Sequence, residues 1–250
     1  MGVPTLGCSC AVCTSDDPHD RRLRPSLLLR WQVGGRERVV VIDTGPDFRE
    51  QALRNGLTRV DAVFYTHGHA DHILGLDDLR PLSFTVFREG ELIPLYASEQ
   101  TAEVLKRMYD YTFSPDATYP NRARLRIERL EERTTVHGVK FLRVPVLHGE
   151  QEITGFRFGR TAYLTDVSAI PEASFALLEG LDCVILSALR HKPHPNHATV
   201  EQAVEWATRI GARQTWFTHI AHDLGHKATN RTLPEGVALA YDGLAFPVSL

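Results

Sequence analysis

The chain has 250 residues, 43% hydrophobic and 24% charged, which is enough apolar material for one well-buried domain or two small ones. A formal charge of −3 argues against a broad basic surface as the main source of affinity, so nucleic acid is an unexpected partner, although a local positive site remains open. No apolar run reaches the ~18 residues that a bilayer crossing needs and no charged-then-apolar leader opens the chain, so it reads as soluble and cytoplasmic, with no membrane partner.

The first informative stretch is GCSCAVC, residues 7–13, with Cys8, Cys10 and Cys13. This spacing is too tight for a disulfide framework, and clustered thiols in a reducing compartment point to metal or redox chemistry. A tetrahedral zinc site needs a fourth ligand. The remaining cysteine, Cys183, lies in the apolar run LDCVILSAL, which reads as a buried strand. The fourth ligand therefore has to come from elsewhere, a histidine being the best candidate, and the chain has 12 of them. A redox-reactive cysteine cluster is the competing reading.

Further along, SLLLRWQV and RERVVVID flank Gly34 and Gly35 and predict a hairpin. PDFREQALRNG follows, a helix with proline at its start and Gly56 past its end. DAVFYT is a strand that runs into HGHADH, and SEQTAEVLKRMYD is a helix. RLRIERL, KFLRVPVLH, ITGFRF and TAYLTD read as strands, PEASFALLEG as a helix, and DCVILSAL as a strand. TVEQAVEWATRIG is a helix opened by a Thr199/Gln202 capping box, and RQTWFTH is a last strand. Without a repeat or linker, residues 1–250 are expected to form one α/β domain of sheets covered by helices.

The strands end in Asp43, His67, His148, Asp166 and His219. Ligand-type side chains at strand ends converge on one edge of a sheet, where sites in layered α/β proteins are commonly built. THGHADH adds His69, Asp71 and His72 to His67 within six positions. On a turning loop His67 and His69 can face one ion while Asp71 and His72 reach a second.

HxHxDH, with the later His148, Asp166 and His219, resembles the metal-binding pattern of the metallo-β-lactamase fold. GVPTLGCSCAVC, DTGPDFR, THGHADHILGLDDLRPL, TDVSAIP, the Asn196–His197 pair, THIAHD and AYDG resemble the PhnP-like phosphodiesterase branch. The resemblance implies a four-layer αββα sandwich of two mixed sheets flanked by helices. It implies that His67, His69 and His148 hold one divalent metal (zinc or manganese), that Asp71, His72 and His219 hold a second, and that Asp166 bridges them. Asp43 matches a position that orients metal-binding groups, and His222 one that completes a structural zinc site with the three cysteines. His197 matches the general acid of the family and stands with Asp71 as a catalytic residue. Relatives begin with a further strand upstream of GVP, so either the assigned start lies too late or that first strand is missing here.

The implied activity is hydrolysis of a small cyclic phosphodiester, such as a ribosyl cyclic phosphate or cyclic nucleotide, by a metal-bridged hydroxide. Two divalent ions, two carboxylates and that hydroxide leave a formal charge of about +1, suited to a singly anionic diester. A homodimer is compatible with this reading. Two alternatives on the same fold are processing of transfer RNA 3′ ends, disfavoured by the missing basic arm, and acyl (lactam or thioester) hydrolysis. His191 and His194 are read as solvated loop residues, and His226 is left without a role.

Overall fold

The computed structural model describes residues 2–116 and 118–250; Met1, on which the expectation about the chain start rests, lies outside the described residues. Its contacts divide into two compact units, Arg24–Gly138 and the pairing of Met1–Leu23 with Val139–Leu250.

The Arg24–Gly138 unit opens with the expected hairpin, β1 (Leu27–Val33) and β2 (Arg36–Ile42). Gly34 and Gly35 have φ of 59° and 77° and close a two-residue turn with Val33 opposite Arg36, a geometry that demands left-handed backbone at both positions. After α1 (Phe48–Arg54) come β3 (Ala62–Phe64), α2 (Ala70–Ile73), a 3₁₀ turn (Leu76–Leu79) and α3 (Arg80–Phe87). The unit continues through β4 (Ile93–Ala97), α4 (Glu99–Met108), α5 (Asp110–Phe113), β5 (Leu125–Arg129) and β6 (Arg133–Val136). The first sheet has the order β1-β2-β3-β4-β5, antiparallel at β1/β2 and parallel afterwards. Its core gathers Val39, Val41, Val63 and Leu95 from the strands with Ile73, Leu76 and Leu79 from the segment after HGHADH. Each of those last three is fully buried, worth about 1.5–3 kcal/mol apiece, and together they pin the ligand-rich turn to the sheet.

The other unit carries β7 (Val139–His148), β8 (Gln151–Phe158), β9 (Thr161–Leu164), α6 (Glu172–Ala176) and β10 (Cys183–Ser187). It ends with α7 (Val200–Ile210), β11 (Gln214–Thr218), α8 (His226–Asn230) and β12 (Val237–Leu239). Within this unit the sheet runs in the order β12-β11-β10-β9-β8-β7, antiparallel across β7, β8 and β9 and parallel from β9 to β12. α7 has the full Thr199/Gln202 capping box, and Gly211 closes it at φ 70°. The helix expected over 171–180 stops at Ala176, because the Arg157 guanidinium captures the carbonyls of Leu177 and Glu179 at 2.7 and 3.0 Å. Cys183 is buried, and burial pushes its thiol up to about 11.

Both sheets are mixed and flanked by helices, the metallo-β-lactamase fold. Among the described residues, no helix is long and apolar enough to cross a membrane.

Candidate metal centres

The HGHADH turn is held by its own unit. β3 delivers Thr66 and His67 at its end, and Thr66 binds the Asp43 carboxylate twice, through its backbone N–H (2.9 Å) and its hydroxyl (2.8 Å). His72 reaches the same carboxylate from α2, Nδ1 to Oδ2 2.7 Å. The Asp43 carboxyl is raised by its complete burial, against which His72 and Thr66 act in the opposite sense. Since the Thr66 hydroxyl donates to Asp43, it accepts the Nδ1 proton of His67 at 3.0 Å. Both histidines therefore carry their lone pair on Nε2, the arrangement a metal-binding imidazole needs.

His67 Nε2 and His69 Nδ1 are 3.0 Å apart. Two nitrogens ~2.05 Å from one tetrahedral ion would be ~3.3 Å apart, so this pair fits a shared metal. Asp71 Oδ1 lies 3.9 Å from His72 Nε2, a second and looser pair of donors. Two glycines let the backbone close around them: a Cβ on Gly45 would stand 2.2 Å from the Asp71 carbonyl oxygen, and one on Gly75 2.2 Å from that of Gly45. The Thr44 amide donates to the His72 carbonyl, and the Gly75 amide to that of Thr44, both at 2.8 Å.

The second unit presents His148, Asp166, His197 and His219. His148 Nδ1 donates to the Asp166 backbone oxygen at 2.8 Å, again leaving the lone pair on Nε2. One Asp166 carboxylate oxygen accepts from the Thr165 hydroxyl at 2.7 Å while the other lies 3.1 Å from His219 Nε2, a separation that suits one shared cation or proton. His197 stacks on His219 with ring centroids 4.8 Å apart, and its Nδ1 lies 3.8 Å from Asp166 Oδ1. Burial first, then the His219 ring, push His197 down to about 3. His191 is exposed and paired with Glu201 at 2.6 Å, as a solvated loop residue would be. His194 departs from that reading: it is half-buried, bridges to His197 through the backbone, and sets its ring 4.9 Å from the His197 ring.

The same unit brings Cys8, Cys10, Cys13 and His222 together. His222 Nδ1 lies 3.2, 3.3 and 3.6 Å from the three sulfurs, close to the ~3.6 Å expected of a nitrogen and a sulfur on one tetrahedral zinc. The Cys13 backbone N–H and the His222 ring lower the Cys10 thiol to about 6, favouring the thiolate that binds metal. A residue that pattern reasoning missed supports this clip. Arg22, 6% exposed, donates to the carbonyls of Ala221 and Leu224 and to the Asp20 carboxylate, tying the N-terminal segment to the loop that carries His219 and His222. Asp20 also accepts from the His226 amide at 2.7 Å. Nothing in the run RRLR marks which arginine turns inward.

Comparison with known proteins identifies the family and the fold. Residues 38–220 match the beta-lactamase superfamily domain. The crystal structure of a diphosphatase from the PhnP family superimposes with TM-score 0.92 and 54% identity, covering 100% of this chain and 94% of that one. Zinc-bound PqqB from Methylobacterium extorquens shares the fold at TM-score 0.73 and 21% identity, covering 99% and 96% of the two chains. Among curated proteins, an octanoyltransferase of Porphyromonas gingivalis is 34% identical over 97% of this chain but 48% of its own length. A ribonuclease Z of Bradyrhizobium is 32% identical over 41% of this chain and 32% of its own. The chain thus spans about half the length, or less, of these curated relatives. The fold implies divalent metal ions, and on these matches the chain is a hydrolase-fold protein that belongs to the beta-lactamase superfamily, in its PhnP family.

Proposed function

We propose that the chain is a metal-dependent hydrolase of small phosphodiesters, cyclic ones among them, with two divalent ions in its reaction centre and one structural zinc. The observation that carries this reading is the donor set, in which His67, His72 and His148 hold their Nδ1 atoms against Thr66, Asp43 and the Asp166 carbonyl and so present Nε2 for coordination. When bound, the two ions, zinc or manganese, would polarise the phosphoryl oxygens and acidify the attacking water. His67, His69 and His148 would serve one ion and Asp71, His72 and His219 the other, with Asp166 shared, as the family pattern implies.

The residues of the chain do the rest. Asp43 and Thr66 hold the His67 and His72 rings in one tautomer, which keeps the ligand geometry in place between turnovers. His197 protonates the leaving oxygen; its ring is neutral in the ligand-free protein, so it takes a proton from solvent when the negative charge of a bound diester favours the imidazolium, and passes that proton to the leaving oxygen. A diphosphatase cuts a P–O–P bond, and a substituted diphosphate offers the same central feature as a diester, a phosphoryl group carrying one charge between two substituents. The likeness to a PhnP-family diphosphatase therefore widens the substrate class and leaves the residue roles unchanged.

Acyl transfer is the second reading, favoured by the octanoyltransferase match. One panel separates the readings: bis(4-nitrophenyl) phosphate, a ribosyl cyclic phosphate, a dinucleoside diphosphate, a precursor transfer RNA and an acyl thioester, each with zinc and with manganese. Turnover confined to the phosphorus esters and anhydrides is expected. Cleavage of the transfer RNA or thioester with the small diesters untouched sinks the proposal.

A further inference from the structure

A recess of about 390 Å³ opens in the Arg24–Gly138 unit, lined by Asp77, Arg80, Tyr111 and Tyr119. Its walls form one connected chain of polar contacts. The Tyr111 hydroxyl donates to Asp77 at 2.7 Å, Asp77 faces Arg80 at 3.7 Å, and Arg80 donates to the Tyr119 hydroxyl at 3.1 Å. Both phenols are thereby fixed at their polar ends. The two tyrosines nevertheless remain 37% and 43% exposed, with ring centroids 6.2 Å apart and planes at 78°. Exposed tyrosines are ordinary on a protein surface; two rings oriented by a single ion pair around a recess are a built feature.

The recess is tied to the HGHADH turn. Tyr109, two residues before Tyr111, is buried and donates its hydroxyl to the Ile73 carbonyl at 3.0 Å, at the last residue of the helix that carries Asp71 and His72. Asp77 follows His72 by five residues, so the chain holds their Cα atoms within ~17 Å of each other.

We propose that this recess is a subsite for a planar heteroaromatic group, a nucleobase carried by the substrate. One tyrosine ring offers a face for stacking and the other, nearly perpendicular, offers an edge, while the remaining N–H groups of Arg80 can donate to ring nitrogens or carbonyls. Stacking on an aromatic side chain tolerates every base, so the subsite selects nucleobase-bearing diesters over bare ribosyl ones without reading base identity. The proposal rests on the phosphodiester reading for what the subsite serves, but its binding test does not.

The test has a binding arm and a kinetic arm on the full-length chain. By calorimetry, adenosine 5′-monophosphate should bind about 10-fold more tightly than ribose 5-phosphate, and Tyr119→Leu or Tyr111→Leu should erase most of that preference while Tyr119→Phe keeps it. In turnover, the ratio of kcat/KM for adenosine 2′,3′-cyclic phosphate to that for the base-free ribosyl cyclic phosphate should fall about 10-fold in the two leucine variants, through KM. Ratios that stay at the wild-type value in well-folded variants overturn the subsite, as does equal binding of the two monophosphates by the wild type. If no diester is cleaved but the binding preference is present and lost on substitution, the subsite stands and the hydrolase reading fails.

Discussion

His72 gives its Nδ1 proton to Asp43 across 2.7 Å, and neither side chain meets solvent. The same carboxylate takes both Thr66 donors, so one buried anion sets the end of β3 and the helix that follows. Asp43→Asn tests it. Asparagine tolerates the left-handed backbone found there, φ 64°, but offers one acceptor oxygen to three donors. Metal affinity, measured by competition with a chelator, should fall about 10- to 100-fold, the usual cost of losing such a partner. Unchanged affinity would show that His72 keeps its orientation without Asp43.

Gly45 provides a second test at the backbone. A methyl group there meets the Asp71 carbonyl oxygen at 2.2 Å, and that oxygen cannot retreat without moving α2. Gly45→Ala should cost about 1–3 kcal/mol of stability and also reduce metal uptake. Gly56→Ala is the control: its φ is 57° with no atom near the added methyl, so only backbone strain of about 1–2 kcal/mol is expected, with metal uptake intact. Denaturant titration and elemental analysis of both variants check the distinction.

Much of this was legible in the sequence because it is written locally. The Gly34–Gly35 turn, the Thr199/Gln202 box, Gly211 and the ligand-bearing strand ends each depend on a few adjacent residues. The segments that were not assigned are those whose pattern is set by tertiary burial. α3 has proline at its second position and a mixed surface, and the short β4 becomes recognisable only once β3 and β5 flank it. The backbone of the site was also invisible. Asp43, Asp166 and His219 all have positive φ, 64°, 59° and 53°, a conformation that side chains other than glycine rarely adopt and that gathers at functional sites. Arg22 and His194 were missed for a related reason: their roles come from what the folded chain brings against them.

The cysteine clip should hold one zinc that mild chelation leaves in place, and Cys10→Ser or His222→Ala should lose it and lower Tm. In metal-stripped protein the sign of the pH effect follows from the Cys10 thiol. Its folded value of about 6 lies below its ordinary value of 9.0, so the unfolded chain binds more protons between the two. Stability from this group therefore rises with pH across that window, is complete above the upper value, and is lost as pH falls through about 6. Alkylation by iodoacetamide at neutral pH should label Cys10 quickly and Cys183 slowly, since burial holds the latter near 11. Wild-type zinc content in both variants would return the cluster to redox chemistry.

His197 separates metal binding from proton transfer. It lies 3.8 Å from Asp166 and stacks on His219, yet the family pattern makes it the proton donor rather than a ligand. His197→Ala should therefore retain its metals by elemental analysis, whereas Asp166→Ala should lose at least one. The turnover of His197→Ala should depend on what leaves. With an alkoxide leaving group, which cannot depart unprotonated, the loss should be about 10²- to 10⁴-fold. With 4-nitrophenolate, stable without a proton, most of that loss should vanish, and the slope of log kcat/KM against leaving-group pKa should steepen relative to wild type. An equal loss across the series would mean that His197 acts by positioning, through its stack on His219, and the proton would have to come from another group.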